Sequence, residues 1–340
     1  MWQKKTMIDK TNILIHYTLC GVKIQERYTG PILSASKCKV KLFENEFDNC
    51  ITIDYQFSVP KTRTKKPDKF HLYLYKESKY FLYIFNLLLT RPSELIFIKY
   101  IVDGNEIKLD LPAREAPLRL YNLANIVSHD VDPIMAKYTS YINHDGWPLF
   151  EKLIRRFKRK NNSFRQNIYI ALRWFQKGCD ETTSIDKLMA FWIAFNSLYQ
   201  DINENNEKRA IKRYITTTVN DSLASEYCLK NEPTVKLLTD FSIELGRGAN
   251  RLNITQELSN SLRASNRQYV TIVKQIVLSI YGIRNNLFHG DVNLDDEDTL
   301  SLIEIGDILI GEFLKELLCY LILDAPLPKI KFKDKEQLTG

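Results

Sequence analysis

The rhythm of apolar and polar positions changes once along this chain, near residue 150. Before that point the dominant period is two, the side-chain alternation of half-buried strands. Ile51, Ile53, Tyr55, Phe57 and Val59 alternate with Thr52, Asp54, Gln56 and Ser58 until Pro60 stops the run. Phe70, Leu72 and Leu74 repeat the alternation and predict a further strand. Leu95–Val102 is a denser apolar run, and Asp103-Gly104 supplies turn chemistry that predicts a hairpin into Glu106–Leu111. Short helices are expected around Tyr80–Leu89 and Leu118–Val127.

After residue 150 the period becomes helical. Ser163-Phe-Arg-Gln166 has the form of a capping box, followed at helical spacing by Ile168, Ala171, Leu172 and Phe175, with Gly178 as the stop. Thr183-Ser184 caps a second helix with Ile185, Leu188, Met189, Trp192, Phe195 and Tyr199 on one face, and the 203–206 asparagine-rich run breaks it. One or two less regular helices are expected over 207–245. From Ser265-Asn266 onward, Tyr269, Val273, Ile276, Ile280, Ile283 and Leu287 recur at steps of three and four, the seam of a packed helix. Thr299–Leu323 is the last helix, ended by Asp324-Ala-Pro326.

The pattern predicts an α+β chain: a β-rich domain over 1–145, expected to be an accessory, sensor or substrate-binding region, a basic linker or helix over 146–162, a helical domain over 163–326 and a polar tail over 327–340. The apolar runs, Phe81–Phe85 with Leu87–Leu89 and Leu317–Leu323, are far shorter than the ~20 residues of a membrane span. No signal-peptide core precedes residue 10, so a cytoplasmic location without membrane attachment is expected. The six cysteines include no CxxC pair, and no metal site is expected from them. His16, His71, His129 and His144 are isolated and read as structural or surface residues.

The net charge of +7 is concentrated in two clusters, Lys61–Lys69 and Lys152–Lys160. Such clusters neutralise phosphates and release counterions, which drives sequence-independent nucleic-acid binding. They are equally a solvated loop and a solvated helix face. Lys65, Lys66, Arg155, Arg156 and Arg159 are the candidate RNA-backbone contacts.

The chemistry-bearing segment is Tyr281-Gly-Ile-Arg284-Asn285-Asn286-Leu-Phe-His289-Gly290. Arginine is a permanent cation matched to phosphate, and histidine exchanges protons near neutral pH. Five helical steps turn a side chain through ~500° and leave Arg284 and His289 ~140° apart. Either the helix ends near Leu287–Phe288, with Gly290 as its C-terminal glycine, or two subunits complete one site through an isologous contact along the seam. Capping of a helix end explains the same residues without any chemistry. Asn196 falls on the apolar side of its helix, as a buried hydrogen-bonding group or as a group orienting the Arg–His segment. Asn285 and Asn286 serve a turn or a phosphate.

Ala171-Leu-Arg-Trp-Phe, Phe191-Trp-Ile-Ala-Phe-Asn196-Ser-Leu-Tyr and Gly282-Ile-Arg284-Asn285-Asn286-Leu-Phe-His289-Gly290 together resemble a HEPN domain of the Apea-like branch, over about 163–324. The resemblance implies a dimerising helical bundle and a metal-independent endoribonuclease that needs no cofactor. Arg284 and His289 would be catalytic, and Asn285 would take the polar position after the arginine. Asn196 stands where many relatives carry an acidic residue, and Gly290-Asp291 replaces the tyrosine that follows the histidine in some toxin members. The resemblance also implies a toxin or abortive-infection role against phage, with tRNA or mRNA as substrate and a homodimer formed through the helical domain. The alternatives are a non-catalytic HEPN module for dimerisation, RNA binding or scaffolding, and a regulator held by a nucleotidyltransferase-type partner.

Overall fold

The computed structural model describes residues 9–20, 22–24, 38–44, 50–88, 94–109, 140–142, 146–200, 202, 204, 206–245, 251–289, 294 and 296–324. The architecture is α+β. The contacts divide the chain into two compact units that part between residues 155 and 156.

In the first unit the elements run β1 (Lys10–Cys20), β2 (Val22–Ile24), β3 (Cys38–Glu44), β4 (Cys50–Pro60), α1 (Pro67–Asn86), β5 (Glu94–Val102), β6 (Asn105–Ile107) and β7 (Ser140–Ile142). Five of the strands form one sheet in the order β3-β4-β1-β5-β6, with every neighbouring pair antiparallel. β2 and β7 form a separate, short parallel two-stranded sheet. The register sets Ile13 opposite Phe57, Ile15 opposite Tyr55 and Tyr17 opposite Ile53, so the alternating apolar residues of β1 and β4 share one face. That face is buried. α1 covers it: the Phe81 ring stacks on Tyr17 at 5.0 Å and on Tyr55 at 4.6 Å, and Phe150 meets Phe81 edge-on. On the opposite face His16 Nδ1 lies 2.7 Å from Asp54 Oδ1, directly across the β1–β4 pair. Asp103 and Gly104 both take positive φ, as a two-residue primed hairpin turn requires, and join β5 to β6.

The segment Phe70–Leu74 is helical, contrary to the strand its alternation predicts. Pro67 starts α1 at a position where its missing N–H costs nothing, and Phe70, Leu74, Phe81 and Phe85 then bury one helical stripe. Three alternating residues fit either period; the longer run decides. The helix expected at Tyr80–Leu89 is the second half of α1, which ends at Asn86. Leu118–Val127, His129, His144 and the tail after Pro326 lie outside the described residues.

The elements continue with α2 (Gly146–Arg159), α3 (Asn162–Asp180), α4 (Ser184–Tyr199), α5 (Glu207–Thr218), α6 (Asp221–Lys230), α7 (Glu232–Leu238), β8 (Glu244–Leu245), β9 (Leu252–Asn253), α8 (Ile254–Arg263), α9 (Tyr269–His289) and α10 (Glu297–Leu323). The division between units falls within α2. Asn161, Thr183, Asn206, Asn220, Asn253 and Asp296 each cap a helix by accepting from the backbone N–H three residues on. Each such cap is worth ~1 kcal/mol.

Three boundaries differ from expectation. Asn161, two residues before Ser163, caps α3, so Ser163–Gln166 lies inside the helix. Gly178 does not stop α3. It faces the Phe191 ring, against which an added Cβ would sit at 2.6 Å, so its role is close helix–helix approach. The 207–245 region holds three helices and the first strand of a small β8–β9 hairpin, where one or two helices are expected.

α4, α9 and α10 form the centre. Trp192 and Phe195 of α4, Ile276 and Ile280 of α9, and Phe313 of α10 are all buried. Tyr227 anchors α6 by donating from its buried hydroxyl to the Leu309 carbonyl at 2.9 Å.

Candidate active site

The apolar seam of α9 is consumed inside its own chain. Val273, Ile276 and Ile280 have no exposure and Ile283 has 3%. The expectation that this stripe packs against a symmetry mate is therefore corrected: burial within one protomer already satisfies it. α9 also runs unbroken through His289, so the expected helix end at Leu287–Phe288, which would let the histidine turn back toward the arginine, does not occur. With five helical steps between them the two side chains diverge by ~140° and are offset by ~7.5 Å along the axis. Gly290 lies outside the described residues.

Arg284 is half-buried and held from several sides. Its Nη1 donates to Asn285 Oδ1 at 2.8 Å and lies 3.7 Å from Glu207 Oε2. Its guanidinium carbon sits 4.3 Å from the centre of the Phe288 ring, one helical turn further on. Nε is buried without an acceptor among the described residues. Glu207, the first residue of α5, also accepts from the Tyr199 hydroxyl at 3.1 Å. Burial, then the Glu207 carboxylate, pushes the Tyr199 phenol far above its ordinary range, so it stays a donor. The outcome is a three-residue polar string, Tyr199–Glu207–Arg284, linking α4, α5 and α9.

His289 is the last residue of α9 and is exposed, as is Asn286. Asn196 is half-buried on α4, and among the described residues no hydrogen bond joins it to Arg284 or Asn285. Arg155, Arg156 and Arg159 are exposed on α2, and Lys65 and Lys66 are exposed in the first unit. No described hydrogen bond, ion pair or ring contact links any of these cations to Arg284 or His289. Of the predicted residues, the described hydrogen bonds join Arg284 with Asn285.

Sequence reasoning does not single out Glu207, Tyr199 or Phe288. Phe288 was accessible to it, because a residue four positions after an arginine on a helix lies against it. Glu207 and Tyr199 reach Arg284 only through the tertiary fold. The cysteines offer no competing nucleophile among those described: burial pushes the Cys179, Cys228 and Cys319 thiols up to about 12 each.

Comparison with family models, curated proteins and solved structures returns no match. Among the described residues no helix is long and apolar enough to cross a membrane.

Proposed function

We propose that this chain is an endoribonuclease of the HEPN type, working as a homodimer in which Arg284 of one copy and His289 of another flank one scissile phosphate. The observation that carries this reading is the shape of the end of α9. A supported guanidinium and an exposed imidazole occupy one continuous helix terminus, on diverging faces, where a single copy cannot direct both at one phosphate. A two-fold contact at that terminus brings the arginine face of one helix to the histidine face of the other. Phe288, 58% exposed beside Arg284, supplies apolar surface for such a contact.

The chemistry needs no group beyond these residues and the substrate. His289 takes the proton from the ribose 2′-hydroxyl as the 2′-oxygen bonds to phosphorus. The bond to the 5′-oxygen breaks, and the imidazolium returns the proton to that oxygen, leaving a 2′,3′-cyclic phosphate and a 5′-hydroxyl. Arg284 stabilises the added charge on the phosphoryl oxygens. Exposed Arg155, Arg156 and Arg159 add non-specific attraction for the RNA backbone.

One observation favours a second reading, an RNA-binding module without turnover. Glu207 already lies within ion-pair reach of Arg284, so a carboxylate competes with phosphate for that cation. Incubation of RNA with the wild-type chain, Arg284→Ala and His289→Ala, all in EDTA, separates the two. Cleavage by wild type alone, with cyclic-phosphate ends, supports the nuclease. Salt-dependent binding without cleavage supports the module. A toxin or phage-defence role extends the nuclease reading and is tested by growth arrest on expression of wild type against His289→Ala.

A further inference from the structure

The turn between β4 and α1 carries a feature that the Arg–His chemistry does not use. Thr62, Arg63, Lys65, Lys66, Lys69 and Tyr73 line a cleft of about 460 Å³. That volume falls within the ~300–1,000 Å³ of small-molecule sites. Four of its six lining residues are cations, and all four are exposed. Lys61, next to the cleft, is neutralised by Asp9 at 2.8 Å. Among the described residues no carboxylate pairs with Arg63, Lys65, Lys66 or Lys69. Four exposed cations around a concave surface, with Asp68 of α1 the one acidic residue among positions 61–69, make a local positive field that attracts anions.

Charge alone would describe any polyanion patch. The aromatic wall narrows the class. The Arg63 guanidinium carbon lies 4.4 Å from the centre of the Tyr73 ring. A guanidinium plane has two faces. Tyr73 covers one, and an exposed Arg63 leaves the other for a second flat group. Nucleic-acid bases stack on arginine planes and on aromatic rings in this manner.

We infer that this cleft is a nucleotide-binding site, with the base stacked on Arg63 above Tyr73 and the phosphates held by Lys65, Lys66 and Lys69. The ligand is either a free nucleotide or one nucleotide of a single strand, because both present a base and adjacent phosphate. The site belongs to the first unit and does not rest on the Arg284–His289 reading.

Calorimetric titration of the full chain with ATP, a 12-mer single-stranded RNA and base-free tripolyphosphate tests it. Arg63→Ala is expected to weaken the base-containing ligand about tenfold, the effect of losing one stacked base, while tripolyphosphate changes by less than about twofold. Lys65→Ala with Lys66→Ala is expected to weaken all bound ligands. Arg63→Lys, which keeps the charge and loses the plane, is expected to follow Arg63→Ala. The Arg63, Lys65 and Lys66 side chains are exposed, and a thermal melt of each variant confirms an unchanged fold. Binding of ATP identifies a free-nucleotide site, and binding of RNA without ATP identifies a strand site. In the Arg284→Ala background, which does not cleave the RNA, Arg63→Ala causes the same fold-loss of base-containing ligand under either outcome, which separates this inference from the nuclease proposal. Absence of sub-millimolar binding by ATP and RNA overturns it. So does an equal loss of tripolyphosphate and nucleotide binding in Arg63→Ala, which would leave only a polyanion patch.

Discussion

The Glu207 carboxylate lies 3.7 Å from Nη1 of Arg284, and its other oxygen takes the Tyr199 hydroxyl. The ion-pair distance is at the long limit, without a hydrogen bond, and among the described residues the buried Nε of Arg284 has no acceptor. Under the proposed function this guanidinium is the group that meets phosphate.

Glu207→Gln removes the competing charge and keeps an acceptor for Tyr199. Folding stability should change by less than about 1 kcal/mol, because the pair is partly exposed. RNA affinity should rise by about threefold, measured by fluorescence anisotropy at low salt. Weaker binding would show that the carboxylate positions Arg284 and does not compete for it.

Phe288→Ala removes the ring under Arg284. A cation–π contact at an exposed site is worth ~0.5–1 kcal/mol, so cleavage should fall by about threefold to fivefold with little change in melting temperature. Arg284→Lys should not rescue activity, since an ammonium neither stacks on Phe288 nor grips phosphate in a planar fork. Single-turnover cleavage rates check both variants.

Gly282 precedes Arg284 by two positions and lets the β8 hairpin close on α9. An added Cβ would sit 2.6 Å from Ile243 Cγ2 and 3.2 Å from Leu245 Cδ2. Gly282→Ala gains helix propensity of ~1 kcal/mol but overpacks by ~1–3 kcal/mol, so a net loss of about 1 kcal/mol is expected in urea unfolding.

Burial raises the Glu316 carboxyl above its ordinary 4.5, with the Lys230 ammonium offsetting part of the shift. Among the described residues one of its oxygens is buried without a hydrogen-bond partner. An acid with a raised folded pKa binds its proton more tightly when folded, so stability falls as pH rises from the unfolded value through the folded one. Glu316→Gln should therefore be more stable than wild type at neutral pH, with the difference closing as pH falls below about 4.5. Urea melts at pH 4 and pH 7 measure it. Equal stability at pH 7 would contradict the burial argument.

The sequence made the α+β division and the β5–β6 turn legible, because Ile51–Val59 and Asp103-Gly104 are governed by local stereochemistry. α9 and α10 were legible for the same reason, as long helical stripes. Phe70–Leu74 misled because three residues do not fix a period. The α9 seam was recognisable as buried surface, but not which partner buries it, since α5, α6, α8 and α10 pack on α9 and supply that partner internally. At the candidate site Arg284 and His289 stood out by residue type. Glu207 and Tyr199 did not, because an ordinary helix-start glutamate and a helical tyrosine acquire their role only when α4, α5 and α9 converge.

Complementation between two inactive variants tests the central claim most directly. Arg284→Ala and His289→Ala chains are refolded together at equal concentration and assayed for RNA cleavage in EDTA. If arginine and histidine act across two copies, half the dimers are mixed and each keeps one intact pair, so roughly a quarter of wild-type activity returns. Activity no higher than that of either variant alone, with mixed dimers confirmed by mass, would contradict a site shared between copies.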